Sequence, residues 1–233
     1  MRAAVLDCDG VISNTSPLFI EKMDEFVKVM SEAGGLEETK LKADLIRLNN
    51  ASIGGHGVSP DKWYEIVGDL KKEYPGIGNV VWARAWSSLV DIYNSCPKLF
   101  EGAKEALGVL VQGGIGLVMV THRWRPWHEL TMEGQGLRGL FVHEEVVDCH
   151  KRKGKKDWEE AMKTARLLPT EVMGAGDSKW GDVRPLWELG VPSENLAYIE
   201  AEWSEYAKGE LPGGVKTYPT LVNWLKSIAN EKK

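Results

Sequence analysis

Two aspartates, Asp7 and Asp9, follow the short apolar run Ala3-Ala4-Val5-Leu6 and precede Gly10. Residues i and i+2 of an extended chain point the same way. Two carboxylates so placed repel each other unless a cation or a proton lies between them. Mg²⁺ suits such a pair, because it prefers oxygen ligands and takes one or two carboxylates. One carboxylate can then attack a phosphorus atom and form an aspartyl phosphate. The other can give a proton to the leaving group and later take one from water.

Asp177, in Gly-Ala-Gly-Asp-Ser-Lys-Trp-Gly-Asp, offers a third carboxylate to complete a metal site with Asp7. Asp182, at the start of a helical stretch, is placed to hold a metal-bound water or to orient a basic residue. Each of these two, taken alone, fits a helix N-cap equally well. Thr121 ends another apolar run, and its hydroxyl with the following N–H groups suits phosphate oxygens. Positive charge is concentrated at Lys151, Arg152, Lys153, Lys155 and Lys156. Most of that cluster reads as a solvated loop, with one member reaching the site.

These side chains need strands to aim them. Short apolar runs at 3–6, 115–120, 171–176 and 196–199 read as buried parallel strands, with a further short strand around Phe141-Val142 and Val146-Val147. Helical patterns at 104–110, 157–168 and 183–189 alternate with them, which implies right-handed βαβ units. Trp158, Met162, Ala165 and Leu168 fall on one helical face. In open parallel sheets ligands bind beyond the carboxyl ends of the strands, so Asp7, Asp9, Thr121 and Asp177 are expected at one place.

Residues 16–97 break the alternation. They hold no convincing strand and read as helices over 17–33, 37–50, 59–74 and 77–95, with Pro17 and Ser59-Pro60 as start signals. The fold class is therefore α/β: a Rossmann-like parallel sheet over 1–15 and 98–233, with an all-α insert over 16–97 placed to cover the strand ends.

Composition narrows the function. The 233 residues carry 29 Lys+Arg against 34 Asp+Glu, and 43% are apolar. That is globular rather than disordered, and its mild acidity speaks against nucleic acid. No run approaches the roughly 18 apolar residues of a membrane helix, and no signal peptide is expected, because Asp7 and Asp9 interrupt the early apolar stretch. Cys8, Cys96 and Cys149 lie far apart with no C-x-x-C pair, which fits a cytoplasmic protein. Cys8 sits between the two aspartates, so its side chain should point away from them and pack as a small hydrophobe.

Together the residues resemble the haloacid dehalogenase superfamily of aspartate-nucleophile phosphohydrolases, in its phosphoglycolate phosphatase-like branch. The four motifs occur in order: Asp7-Cys8-Asp9-Gly10-Val11, then Val118-Met119-Val120-Thr121, then the Lys151–Lys156 cluster, then Gly176-Asp177-Ser178 with Asp182. Leu99-Phe100-Glu101-Gly102 is similar to that family's re-entry from an inserted cap.

The resemblance implies a Mg²⁺-dependent phosphatase acting on a small phosphorylated metabolite. Asp7 is then nucleophile and metal ligand, and Asp9 is the acid/base, lending its backbone carbonyl to the metal. Thr121 holds the phosphoryl group, Asp177 ligates the metal and Asp182 supports it. Spacing favours Lys153 as the site cation, with Lys155 the alternative. His122 and Arg123, standing where Asn or Ser is usual, are read as substrate contacts or as a surface loop. His56, in the glycine-rich loop of the cap, is read as meeting substrate on closure or as an ordinary loop residue.

A phosphoryl transferase or phosphomutase shares all four motifs. A non-catalytic protein binding Mg²⁺ and phosphate is the reading from a different class. Asp9 argues against dehalogenation, whose motif lacks it. A phosphonate hydrolase would use a cap lysine, and among Lys22, Lys28 and the others none stands out. The protein is expected to be a monomer or homodimer, with neither nucleic acid nor membrane as partner.

Overall fold

The structure, a computed structural model, describes residues 1–53 and 57–231. Six strands form one parallel sheet in the order β5-β4-β1-β6-β7-β8. They are β1 (Ala3–Leu6), β4 (Gly116–Thr121), β5 (His143–Val146), β6 (Val172–Gly176), β7 (Leu196–Ile199) and β8 (Lys216–Tyr218). The central strands β1 and β6 are buried along their whole length, as a sheet covered on both faces requires.

Side-chain alternation along β1 sorts residues to the two faces. Ala4 and Leu6 pack with Leu107 of α5 (Ala103–Gln112), Met132 of α6 (Arg125–Gly134) and Trp224 of α9 (Leu221–Glu231). Ala3 and Val5 pack with Trp158 and Met162 of α7 (Lys155–Thr164) and Leu186 of α8 (Arg184–Glu188).

The segment after β1 is helical, as expected: α1 (Ser16–Gly34), α2 (Glu38–Ser52), α3 (Pro60–Glu73) and α4 (Asn79–Val90). Phe19, Met23, Phe26 and Met30 of α1 recur at helical spacing and meet Leu41 and Leu45 of α2, Trp63 and Leu70 of α3, and Trp82 of α4 in a core of their own. That core also takes in Trp127 of α6, so the insert rests on the sheet domain. The chain leaves and returns through two short strands, β2 (Ser13–Asn14) and β3 (Lys98–Leu99), paired antiparallel with Ser13 opposite Leu99.

Several expectations need correction. The fourth helix of the insert stops at Val90 and gives way to a 3₁₀ turn over Asp91–Asn94. The strand expected around 141–147 is the single run His143–Val146. Helix α7 ends at Thr164, and Leu168 is exposed rather than on its buried face. The edge strand β8 and helix α9 were not anticipated. β8 is three residues long and lacks an apolar run. In α9 the signal was present, since Leu221, Trp224, Leu225 and Ile228 keep helical spacing.

Candidate active site

Strand order brings the chemistry together. β1 is flanked by β4 and β6, with Leu6 opposite both Met119 and Ala175. The residues just beyond, Asp7, Thr121 and Asp177, therefore emerge side by side at the carboxyl edge. Gly10 follows with φ +74°, and a Cβ there would lie 2.2 Å from Oδ2 of Asp177. Only glycine lets this loop turn so tightly against the third carboxylate.

Carboxylate oxygens of Asp7, Asp177 and Asp182 all lie within 4.8 Å of one another, and all three residues are buried. Lys153 bridges two of them: its Nζ is 2.6 Å from Asp7 Oδ1 and 2.7 Å from Asp182 Oδ1. The same ammonium donates to the Val120 carbonyl at 3.3 Å. Asp182 is further fixed by the Ser178 N–H, which donates to its Oδ2 at 2.9 Å. The turn that carries it is pinned in turn, since the Gly181 N–H donates to Ser178 Oγ and the Trp158 indole donates to the Gly181 carbonyl, both at 2.9 Å.

Three buried carboxylates against one ammonium leave an excess of negative charge. Burial pushes the Asp7 carboxyl up to about 7, with Lys153 opposing and Asp182 and Asp9 adding to the rise. Burial, then repulsion from Asp7 and Asp182, holds Asp177 well above the usual carboxylate range. Burial alone would lower the Lys153 ammonium, but Asp182 and Asp7 outweigh it and hold it above its ordinary value. A divalent cation is the economical way to relieve such a cluster. The all-oxygen donor set fits Mg²⁺.

Thr121 is completely buried, and its hydroxyl has no hydrogen-bond partner among the described residues. Buried hydroxyls are almost always paired, so this one is set for a ligand oxygen. His122 lines the same inner pocket as Asp7, Lys153 and Asp177, a space of about 30 Å³. Burial, reinforced by Lys153, pulls its imidazole down to about 4, and its Nε2 has no partner among the described residues. It is a neutral ring at ordinary pH.

The structure corrects three readings. Lys155 is exposed at the start of α7 and stays out of the site; Lys153, two residues earlier, is the buried one. Arg123 is not a free substrate contact. It is fully buried, and its guanidinium takes both oxygens of Asp9 at 2.7–3.0 Å while donating to Thr131 Oγ1 at 2.7 Å. It follows that Asp9 and Asp7 do not face a shared cation: the Asp9 carboxylate turns to Arg123, and only its backbone remains for a metal. His56 lies outside the described residues. Cys8 packs into the core away from the aspartates, and burial pushes its thiol up to about 12.

The insert closes over this edge through its backbone. The Val58 N–H donates to the His122 carbonyl, and the Trp124 N–H to the Val58 carbonyl, each at 2.8 Å. The Gly57 N–H donates to the Cys149 carbonyl at 2.8 Å. Beyond the inner pocket lies a cavity of about 290 Å³ that shares Asp9, Val58, Asp177 and Tyr206 with it. Lys62 and Asn49 of the insert line this cavity together with Ser16, and all three escaped the sequence reading. Lys62 is 5% exposed and Asn49 1%. Burial alone pulls the Lys62 ammonium down to about 7. Neither Lys62 nor Asn49 has a signature in sequence, because a Lys and an Asn in amphipathic helices read as solvated.

A sequence profile for haloacid dehalogenase-like hydrolases matches residues 1–190. The chain belongs to that family. Among curated proteins no sequence is similar enough to match. Solved structures share the fold at low identity. A haloacid dehalogenase-like family hydrolase from Xanthomonas campestris has 16% identity and a TM-score of 0.76, over 99% of this chain and 91% of its own. A HAD phosphatase from Thermococcus onnurineus has 18% identity and a TM-score of 0.63, over 98% of each chain. An L-2-haloacid dehalogenase has 14% identity and a TM-score of 0.66, over 98% of this chain and 99% of its own. This HAD-like chain thus has a fold that hosts both phosphatases and dehalogenases, and the choice between chemistries rests on its own residues.

Proposed function

We propose that this HAD-like hydrolase is a Mg²⁺-dependent phosphatase of small phosphorylated metabolites. The observation that carries the reading is the buried cluster of Asp7, Asp177 and Asp182, with Lys153 as its counter-cation, beside the unpartnered hydroxyl of Thr121. Asp7, Asp177 and the backbone of Asp9 would hold the Mg²⁺, with Asp182 supporting through Lys153 and Ser178. When bound, the ion supplies charge neutralisation for a phosphoryl group.

The chain's own residues do the rest. An Asp7 oxygen attacks phosphorus, and the bond from phosphorus to the alcohol oxygen breaks. Lys153 and the Thr121 hydroxyl hold the phosphoryl oxygens while charge shifts to the leaving oxygen. Asp9 protonates that oxygen, then takes a proton from the water that hydrolyses the aspartyl phosphate. Arg123 fixes the Asp9 carboxylate for both proton transfers through Nε and Nη2. The helices over 16–97 act as a cap that keeps water out until substrate is seated.

The test is hydrolysis of p-nitrophenyl phosphate and a panel of small phosphoesters, with and without Mg²⁺. Turnover should require Mg²⁺ and vanish in Asp7→Asn while the far-ultraviolet dichroism is retained. An active Asp7→Asn protein, or no Mg²⁺-dependent turnover across the panel, would overturn the reading.

A further inference from the structure

Away from the catalytic cluster, a second group of ligating side chains collects where the insert meets the sheet domain. Asp148, Cys149 and His150 stand in succession after β5, and each offers one donor atom within 4.8 Å of the other two. Successive side chains of an extended chain would diverge. Here the Lys151 N–H donates to the Asp148 carbonyl at 2.9 Å, and the resulting turn gathers the three. The His150 N–H donates to Asp148 Oδ1 at 3.0 Å, which holds that carboxylate against the turn.

A fourth donor comes from the insert. Asp61, in the first turn of α3, places its Oδ2 3.4 Å from Nε2 of His150. Insert and turn are already joined beside it, since the Gly57 N–H donates to the Cys149 carbonyl at 2.8 Å. Ser59, fully buried just ahead of α3, lies against the Cys149 thiol. Burial raises that thiol, the Ser59 hydroxyl opposes the rise, and Asp148 and Asp61 both add to it. The sulfur therefore feels both carboxylates, one from each domain. Lys151 extends its Nζ to 3.3 Å from Asp148 Oδ2 and is 76% exposed, so a bound cation can displace it into water.

Thiolate, imidazole and carboxylate together suit Zn²⁺ and its neighbours in the first transition row, and not the Mg²⁺ of an all-oxygen cluster. Bonds from zinc to such donors are about 2.0–2.3 Å long. The exposed side chains of Asp148, His150 and Asp61 can close in by changing rotamer, around a sulfur that burial holds still. A bound cation also removes the thiol proton outright. We propose that Asp148, Cys149, His150 and Asp61 form a transition-metal site of the Zn²⁺ class, which clasps the insert to the sheet domain. The site stands apart from the catalytic cluster and does not depend on the phosphatase reading.

The test is a titration of the full chain with Co²⁺, a spectroscopic stand-in for Zn²⁺, in excess Mg²⁺ and a phosphine reductant. Cobalt held by a thiolate shows a near-ultraviolet charge-transfer band, which an all-oxygen site cannot give. The wild type should develop this band to saturation at a single Co²⁺ per chain, and Zn²⁺ should erase it. Cys149→Ser should abolish the band, and Cys96→Ser should leave it intact. His150→Ala and Asp61→Asn should each weaken Co²⁺ binding at least about tenfold. Far-ultraviolet dichroism checks that each variant is folded, and Cys149→Ala serves if the serine variant is not.

A wild type without the band, or a band that survives Cys149→Ser, would overturn the site. A band lost in Cys96→Ser would assign the thiolate to another cysteine and overturn it equally. Unchanged Co²⁺ affinity in Asp61→Asn would overturn the clasp, because the insert would then have no share in the metal.

Discussion

The guanidinium of Arg123 clasps both carboxylate oxygens of Asp9, with Nε at 3.0 and 2.9 Å and Nη2 at 2.7 Å. The arginine is wholly buried, the aspartate side chain 18% exposed. The Trp127 ring centroid lies 4.8 Å from the guanidinium carbon, and Nη1 donates to Thr131 Oγ1. Planar, two-point geometry of this kind is what arginine provides and lysine does not.

Removing the arginine alone should therefore be costly, because it strands a largely buried carboxylate. Arg123→Met is expected to lower stability by about 3 kcal/mol, near the low end for a broken buried pair because Asp9 keeps some water. Arg123→Met with Asp9→Leu should recover most of that loss. Urea unfolding of the two single variants and the double variant measures the coupling directly. Strict additivity would show that the pair is not linked.

Divalent metal should stabilise the fold through the carboxylate cluster. Adding Mg²⁺ at about 100 times its dissociation constant is expected to raise the unfolding free energy by about 2.7 kcal/mol. Asp177→Asn should remove most of that gain, since it takes away one of the three clustered carboxylates. Melting curves with Mg²⁺ and with EDTA test this without any substrate.

Lys62 gives a pH signature. Its ammonium is held at about 7 in the fold against 10.5 when free, so between those values the unfolded chain binds the extra proton. Stability from this residue consequently rises as pH climbs from about 7 to about 10.5, and is at its lowest below 7, where the buried charge is present in the fold. Lys62→Met should stabilise by a few kcal/mol at pH 6, on the scale of about 1.4 kcal/mol per pKa unit, and by little at pH 10.5. Thermal melts of both proteins across that range check the sign. A gain independent of pH would mean that the ammonium is not buried unpaired.

Gly57 lies against the sheet domain, its N–H donating to the Cys149 carbonyl. A Cβ at this position would fall 2.2 Å from the His122 carbonyl oxygen. Because the obstacle is backbone, Gly57→Ala should force the Val58 bridge apart and cost about 1–3 kcal/mol. Chemical denaturation gives the cost, and faster proteolysis in the insert would show that the bridge has opened. Wild-type stability in this variant would sink the idea.

The strand-end positions of Asp7, Asp9, Thr121 and Asp177 were legible in the sequence by itself. Uniform apolar runs in a βαβ alternation specify a parallel sheet, and such a sheet gathers its loops at one edge. The helical nature of the insert was equally legible, since Phe19, Met23, Phe26 and Met30 carry a helical period within their own segment. What tertiary structure alone decided was partnership between distant side chains. Lys153 rather than Lys155 enters the site because the approach to α7 aims one inward and leaves the other in water. Arg123 meets Asp9 across 114 positions of chain, and no local pattern records that pairing. Lys62 and Asn49 look like solvated helix residues until α2 and α3 fold down onto the strand edge and take their water away. Periodicity and turn chemistry are local and survive in a linear string; burial and charge pairing depend on what the rest of the chain places nearby.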